Sequence, residues 1–113
     1  MKIIKDNSNI LMVLNEVNNV DNLVIKSNSV DASFEKHVPI VSKIDDFLVE
    51  IKVDHVMEED HYIEWIMVDY DDEQIIKHFH PGDEAKVVVP FRKGMKAYSY
   101  CNKHSLWANT EIK

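Results

Sequence analysis

The chain has one cysteine, two glycines and three prolines in 113 residues. A single thiol cannot close an internal disulfide, so Cys101 is either a small buried hydrophobe or a reactive or metal-ligating thiolate. Scarce glycine and proline exclude collagen-like and low-complexity segments. No apolar run approaches the ~20 residues that span a bilayer. The opening Met1-Lys2-Ile3-Ile4-Lys5-Asp6 lacks the apolar core of a secretory signal. With one cysteine and no export signal, the expected compartment is a reducing cytoplasm. Positive charge is scarce as well: 13 Lys and Arg stand against 20 Asp and Glu, a net charge of −7. No basic run is available to neutralise phosphates, which argues against a nucleic-acid partner and against an anionic membrane surface.

What is present is a hydrophobic share of 45% and a charged share of 29%, enough for one soluble domain with a real core. No internal repeat is visible. Residues 1 to 33 are the least periodic. Asn9 to Leu14 is a short apolar run, Asn15 to Asn22 reads as a loop, and Leu23-Val24-Ile25 as a second short strand before the turn-like Ser27-Asn28-Ser29. So little structure must lean on the rest of the chain or on a second copy. Strand patterns dominate from position 38. Phe47 to Asp54 sets Phe47, Val49, Ile51 and Val53 on one side and Glu50, Lys52 and Asp54 on the other. Further strands are expected at His61–Asp69, Gln74–His80 (stopped by Pro81-Gly82), Ala85–Val89, Lys96–Cys101 and Leu106–Ile112. About seven short strands without an amphipathic helix predict an all-β fold, an antiparallel β-sandwich.

The chain carries six histidines: His37, His55, His61, His78, His80 and His104. His55 and His61 converge only if Met57 to Asp60 forms a turn, with His55 ending one strand and His61 beginning the next. The pair Cys101-x-x-His104 sits between two further strands, and His37 precedes Val38-Pro39 at the entry to the sandwich. Four histidines and the cysteine therefore fall at strand ends, where loops build sites. His78 and His80, two apart in one strand, read as surface residues without a metal role. Structural zinc takes four ligands, usually with more than one Cys. Blue copper often has a Met after its last His, and none follows His104. Iron accepts imidazoles together with a thiolate.

Three motifs stand in order: Glu35-Lys36-His37-Val38-Pro39, then His55-x-Met57-x-x-x-His61-Tyr62-Ile63-x-Trp65-Ile66, then Cys101-Asn102-x-His104-x-Leu106-Trp107. Together, from about residue 23 onward, they resemble the superoxide reductases, the desulfoferrodoxin and neelaredoxin family. The resemblance implies an immunoglobulin-like sandwich holding one mononuclear iron. Its equatorial ligands would be His37, His55, His61 and His104, and its axial ligand Cys101. Glu35 matches the family's sixth ligand of the oxidised state. Lys36 matches the lysine credited with attracting superoxide and arranging proton-delivering water. Val56 stands where the family often has Pro. Ser105 stands where it usually has Gly, so a left-handed backbone is expected at a serine. Residues 1–24 resemble a shortened desulforedoxin-like segment without its cysteines, and 25–113 the iron-binding domain.

The resemblance further implies one-electron reduction of superoxide to hydrogen peroxide without dioxygen release, a rubredoxin-like electron donor and a homodimer. Lys103 is a second cation beside the motif. The rival readings are a non-catalytic iron or electron-transfer protein on the same fold, and an immunoglobulin-like binding module whose histidines are incidental.

Overall fold

The computed structural model describes residues 2–6, 9–13, 26–27, 37–110 and 112. Glu35, Lys36 and the strand expected at Leu23–Ile25 lie outside the described residues. Among the described residues ten strands stand in chain order: β1 (Lys2–Asp6), β2 (Asn9–Val13), β3 (Lys26–Ser27), β4 (Ile40–Lys43), β5 (Leu48–Lys52), β6 (Ile63–Asp69), β7 (Gln74–His78), β8 (Lys86–Pro90), β9 (Lys96–Cys101) and β10 (Ser105–Asn109). β4–β10 are the seven antiparallel strands of a two-sheet β fold, with the order β4-β5-β8 in one sheet and β10-β9-β6-β7 in the other. Among the described residues there is no helix, hence none long and apolar enough to cross a membrane.

Two features depart from the sequence expectation at this level. β3 joins the edge of the larger sheet in parallel, with Trp107 opposite Lys26. β1, unseen in the sequence pattern, pairs with β2 as a separate hairpin from Lys2↔Val13 to Asp6↔Asn9.

Alternation works as expected where both sheets meet. Val49, Ile51 and Val53 are buried, and they pack with Ile66, Val68, Ala97 and Cys101 of the facing sheet. Phe47 does not join them: it is 77% exposed. It lies in the turn before β5, where the Asp45 carboxylate accepts from the Phe47 and Leu48 N–H groups, and this turn aims the ring outward. β6 is buried on both faces, its other side packing Met67 and Trp65 with Tyr98, Tyr100, Leu106 and Ala108. A bulge at its start places Ile63 opposite Cys101 and Trp65 opposite Tyr100, one extra residue on β6. Ile63 and Ile66 therefore face the same core although three positions apart.

Strand ends differ where the partner strand runs out. β5 stops at Lys52, short of His55, because β8 begins opposite it at Lys86. β10 stops at Asn109, opposite Ala97 near the start of β9, not at Ile112. β7 ends at His78, and His80 lies beyond it in a turn where Asp83 accepts from the His80 N–H at 2.7 Å. Registers Ile40↔Lys52, Ile63↔Cys101 and Ser105↔Cys101 gather the segments carrying the remaining histidines at one pole.

Candidate metal centre

At that pole the structure brings together His37, His55, His61, Cys101 and His104, whose potential ligand atoms all lie within 4.8 Å of one another. His37 immediately precedes β4. His55 lies in the irregular segment after β5. His61 closes a two-residue turn, where Glu58 and His61 exchange backbone hydrogen bonds at 3.0 and 3.1 Å. Cys101 is the last residue of β9, and His104 stands in the turn before β10. Polar residues Glu59 and Asp60 occupy the tip of the first turn, as the sequence expects.

The four imidazoles form a closed ring. Centroid separations run 4.9 Å from His37 to His55, 4.6 Å from His55 to His61, 5.0 Å from His61 to His104 and 4.8 Å from His104 back to His37. Within this ring His55 and His104 stand opposite each other. The Cys101 Sγ is 3.7 Å from His55 Nε2 and 3.6 Å from His104 Nδ1. A sulfur close to both members of an opposite pair sits over the middle of the ring, not beside one edge.

His37 Nε2 and His61 Nε2 lie 3.1 and 3.3 Å from the same atom, His104 Nδ1. One imidazole nitrogen carries one proton or one lone pair, so it cannot serve Nε2 of two neighbours and a thiol at once. A cation among the lone pairs satisfies all of them. For nitrogen donors about 2.1 Å from a metal ion, neighbours at right angles stand about 3.0 Å apart and opposite donors about 4.2 Å. The two nitrogen separations to His104, 3.1 and 3.3 Å, fit the spacing of neighbours, and the sulfur contacts are longer, at 3.6 and 3.7 Å. Five donors exceed the four of structural zinc. Four imidazoles and one thiolate suit iron.

Neighbouring groups hold the rings. His55 Nδ1 lies 2.6 Å from the Val56 carbonyl; donating there leaves Nε2 as the inward lone pair. The Trp107 indole stacks on His37 at 4.5 Å and 11°, and its N–H donates to the His104 carbonyl at 3.0 Å. The buried Ser99 hydroxyl donates to the His37 carbonyl. Asn109 donates to the Pro39 carbonyl at 3.0 Å, tying the His37 segment to β10. Asn102 bonds to Asp60 and Tyr62, and thereby to the turn of His61. Ser105 has φ 71°, the left-handed backbone expected there. Trp107, Ser99, Asn102 and Asn109 were not assigned roles from sequence. Only the adjacency of Asn102 and Trp107 to motif ligands could have flagged them.

Burial differs across the site. Cys101 is fully buried and His37 nearly so, whereas His104 is exposed and His55 and His61 are half-buried. Lys103 Nζ is 3.9 Å from Asp60 Oδ2 at the surface. His78 and His80 are both exposed and apart from the cluster. Tyr100, next to the thiol, has its phenol pushed above the ordinary tyrosine range by burial, with smaller contributions from Glu64 and Cys101.

Comparison with known proteins agrees with this arrangement. The desulfoferrodoxin family model matches residues 29–110. A desulfoferrodoxin of Syntrophotalea carbinolica is 38% identical over 89 residues, covering 76% of this chain and 71% of that protein. Superoxide reductase from Nanoarchaeum equitans has a similar structure, with TM-score 0.56 and 26% identity, covering 75% of this chain and 95% of that one. Superoxide reductase from Treponema pallidum shares the fold at TM-score 0.61 and 19% identity, over 95% of this chain and 79% of that one.

Proposed function

Because the chain belongs to the desulfoferrodoxin family, we propose that it is a superoxide reductase with one iron per chain, held by His37, His55, His61, His104 and Cys101. The observation that carries this reading is the closed ring of four imidazoles with a buried thiol sulfur over its middle. Superoxide takes one electron and two protons and leaves as hydrogen peroxide, and no dioxygen is released. Bound iron supplies the one-electron couple between superoxide and an electron donor.

The chain's own residues set the conditions for that couple. Cys101 is sealed in the core, so its thiolate is kept from water and from dissolved oxidants, and its charge acts on the ring from the inner side. His55, held at Val56, keeps its inner nitrogen unprotonated. The exposed His104 marks the side from which a small anion arrives. Lys36 supplies the positive charge and ordered water for proton delivery, and Glu35 closes the site after turnover. These two roles rest on the motif Glu35-Lys36-His37.

A rubredoxin-like protein in the cytoplasm is the proposed donor, and a homodimer the proposed assembly. We also assign residues 1–24 to a desulforedoxin-like segment without metal ligands and 25–113 to the iron-binding domain. One observation supports that division: β1 and β2 form their own sheet while β3 joins the sandwich.

The test is the visible spectrum and reactivity of protein grown with iron. The oxidised protein should show a thiolate-to-iron(III) charge-transfer band in the red. Cys101→Ser should abolish the band. The reduced protein should consume superoxide, yield peroxide and evolve no dioxygen. Iron binding with no superoxide consumption would favour an electron carrier instead. A band that survives Cys101→Ser would remove the cysteine from the site.

A further inference from the structure

We infer that Asn102 is a positioning residue: it fastens the turn that carries His61 to the loop that carries Cys101 and His104. The inference rests on the proposed iron site. His61 and His104 are 43 residues apart in sequence, and both turns are built of exposed residues, Glu58–Asp60 and Asn102–His104. Apolar packing therefore cannot set the distance between the turn tips. Beyond the strand pairing Ile63↔Cys101, hydrogen bonds from one residue set it. The Asn102 side-chain N–H donates to the Asp60 carbonyl at 2.9 Å. Its side-chain oxygen accepts from the Tyr62 N–H at 3.0 Å. Its backbone N–H donates to the Tyr62 carbonyl at 3.3 Å. The three bonds bracket residue 61 on both sides.

Only a primary amide of this length meets both demands of its side chain, because it offers a donor and an acceptor at once. A carboxylate at the same place keeps the acceptor but faces the Asp60 carbonyl with a second acceptor. A further contact between the two tips, Lys103 to Asp60, is an exposed ion pair at 3.9 Å, with both side chains half or more in water. Such pairs fix little.

The arrangement separates two quantities that usually move together. Asp60 is exposed and Tyr62 only half-buried, so water replaces the lost bonds of an Asn102→Ala variant and folding stability changes little. Ligand placement has no such substitute. Removing an outer partner of metal ligands costs about 10- to 100-fold in metal affinity.

The experiment compares the wild type, Asn102→Ala, Asn102→Asp and Asp45→Ala, each loaded with iron(II) without oxygen and then titrated with a competing chelator. Asp45→Ala also removes a side chain that accepts two backbone hydrogen bonds in an exposed turn, but before β5 and outside the donor cluster. Iron affinity should fall about 10- to 100-fold in Asn102→Ala, less in Asn102→Asp, and not in Asp45→Ala. The charge-transfer band should shift in the two Asn102 variants and stay in place in Asp45→Ala. If Asn102→Ala does not fold, Asn102→Asp carries the comparison and should still bind more weakly than the wild type. Iron affinity and band within twofold of wild type in the folded Asn102 variants would overturn the clamp and leave the iron site standing. An equal loss in Asp45→Ala would also overturn it, by reducing the effect to general stability. A wild-type protein that takes up no iron would overturn the iron site and the clamp together, so the two failures are distinct.

Discussion

Ser105 has φ 71°, a backbone region that L side chains enter at a cost of about 1–3 kcal/mol. The geometry is forced: β9 must reverse after Cys101 and β10 must begin at Ser105 paired back to Cys101. Glycine there relieves the strain and adds unfolded-state entropy, so the net gain is about 0.5–1 kcal/mol. Ser105→Gly should therefore raise the thermal midpoint by roughly 3–6 °C, measured by calorimetry on the metal-free protein; an unchanged or lower midpoint would count against the strain. Single residues were unevenly legible in the sequence. The five candidate donors stood out because His and Cys are rare types with few bland uses at adjacent strand ends. Phe47 misled, because alternation cannot tell the last turn residue from the first strand residue. The contacts of Ser99 with His37 and of Asn109 with Pro39 join residues 62 and 70 positions apart, and nothing local announces them.

Elements were legible where one face is wet. β5 alternates cleanly, with Val49 and Ile51 fully buried and Glu50 and Lys52 between and after them. β6 was recognisable by its branched and aromatic content, but its bulge was not, because the sequence shows no interruption near Glu64. The ends of β5, β7 and β10 fall two or three residues before the expected ones for one recurrent reason: a strand ends when its neighbour does, and the neighbour is distant in sequence. The parallel pairing of β3 belongs to the same class. The central place of β5, between β4 and β8, carries a prediction at this scale. Ile51 fills the space between the sheets with no exposure. Ile51→Ala should cost about 2–4 kcal/mol in urea unfolding through lost burial and a residual cavity. The iron content of the folded variant should match the wild type, because no donor lies on this strand and Cys101 is held by its pairing with Ile63 and Ser105. A cost under about 1 kcal/mol would mean the sandwich collapses around the gap.

The molecule as a whole carries a net charge of −7, so its average field repels superoxide, and capture depends on local cations. If Lys36 provides that field, Lys36→Ala should slow the second-order reaction about tenfold or more and flatten its dependence on ionic strength; stopped-flow mixing at several salt concentrations measures both. Charge also shapes stability at the alkaline end. Tyr98, Tyr70 and Tyr100 all have phenols raised above the ordinary value, burial being the largest cause in each. For Tyr98 the second cause is Asp69. A raised folded-state value means that the native form keeps its proton where the unfolded chain has lost it. The stabilisation is complete below about pH 10, the unfolded value, and drains away as pH rises through the folded value. Tyr98 sits among Met67, Leu106 and Ala108 on the outer side of the larger sheet, so ionising it places a charge in an apolar layer. Tyr98→Phe keeps the ring and removes the ionisation. Denaturant midpoints should therefore fall less steeply between about pH 9 and 11 in Tyr98→Phe than in the wild type, while the two curves run parallel near neutral pH. Equal alkaline slopes would show that the native protein releases the Tyr98 proton as readily as the unfolded chain does, against the burial that places this ring in the sheet's second core.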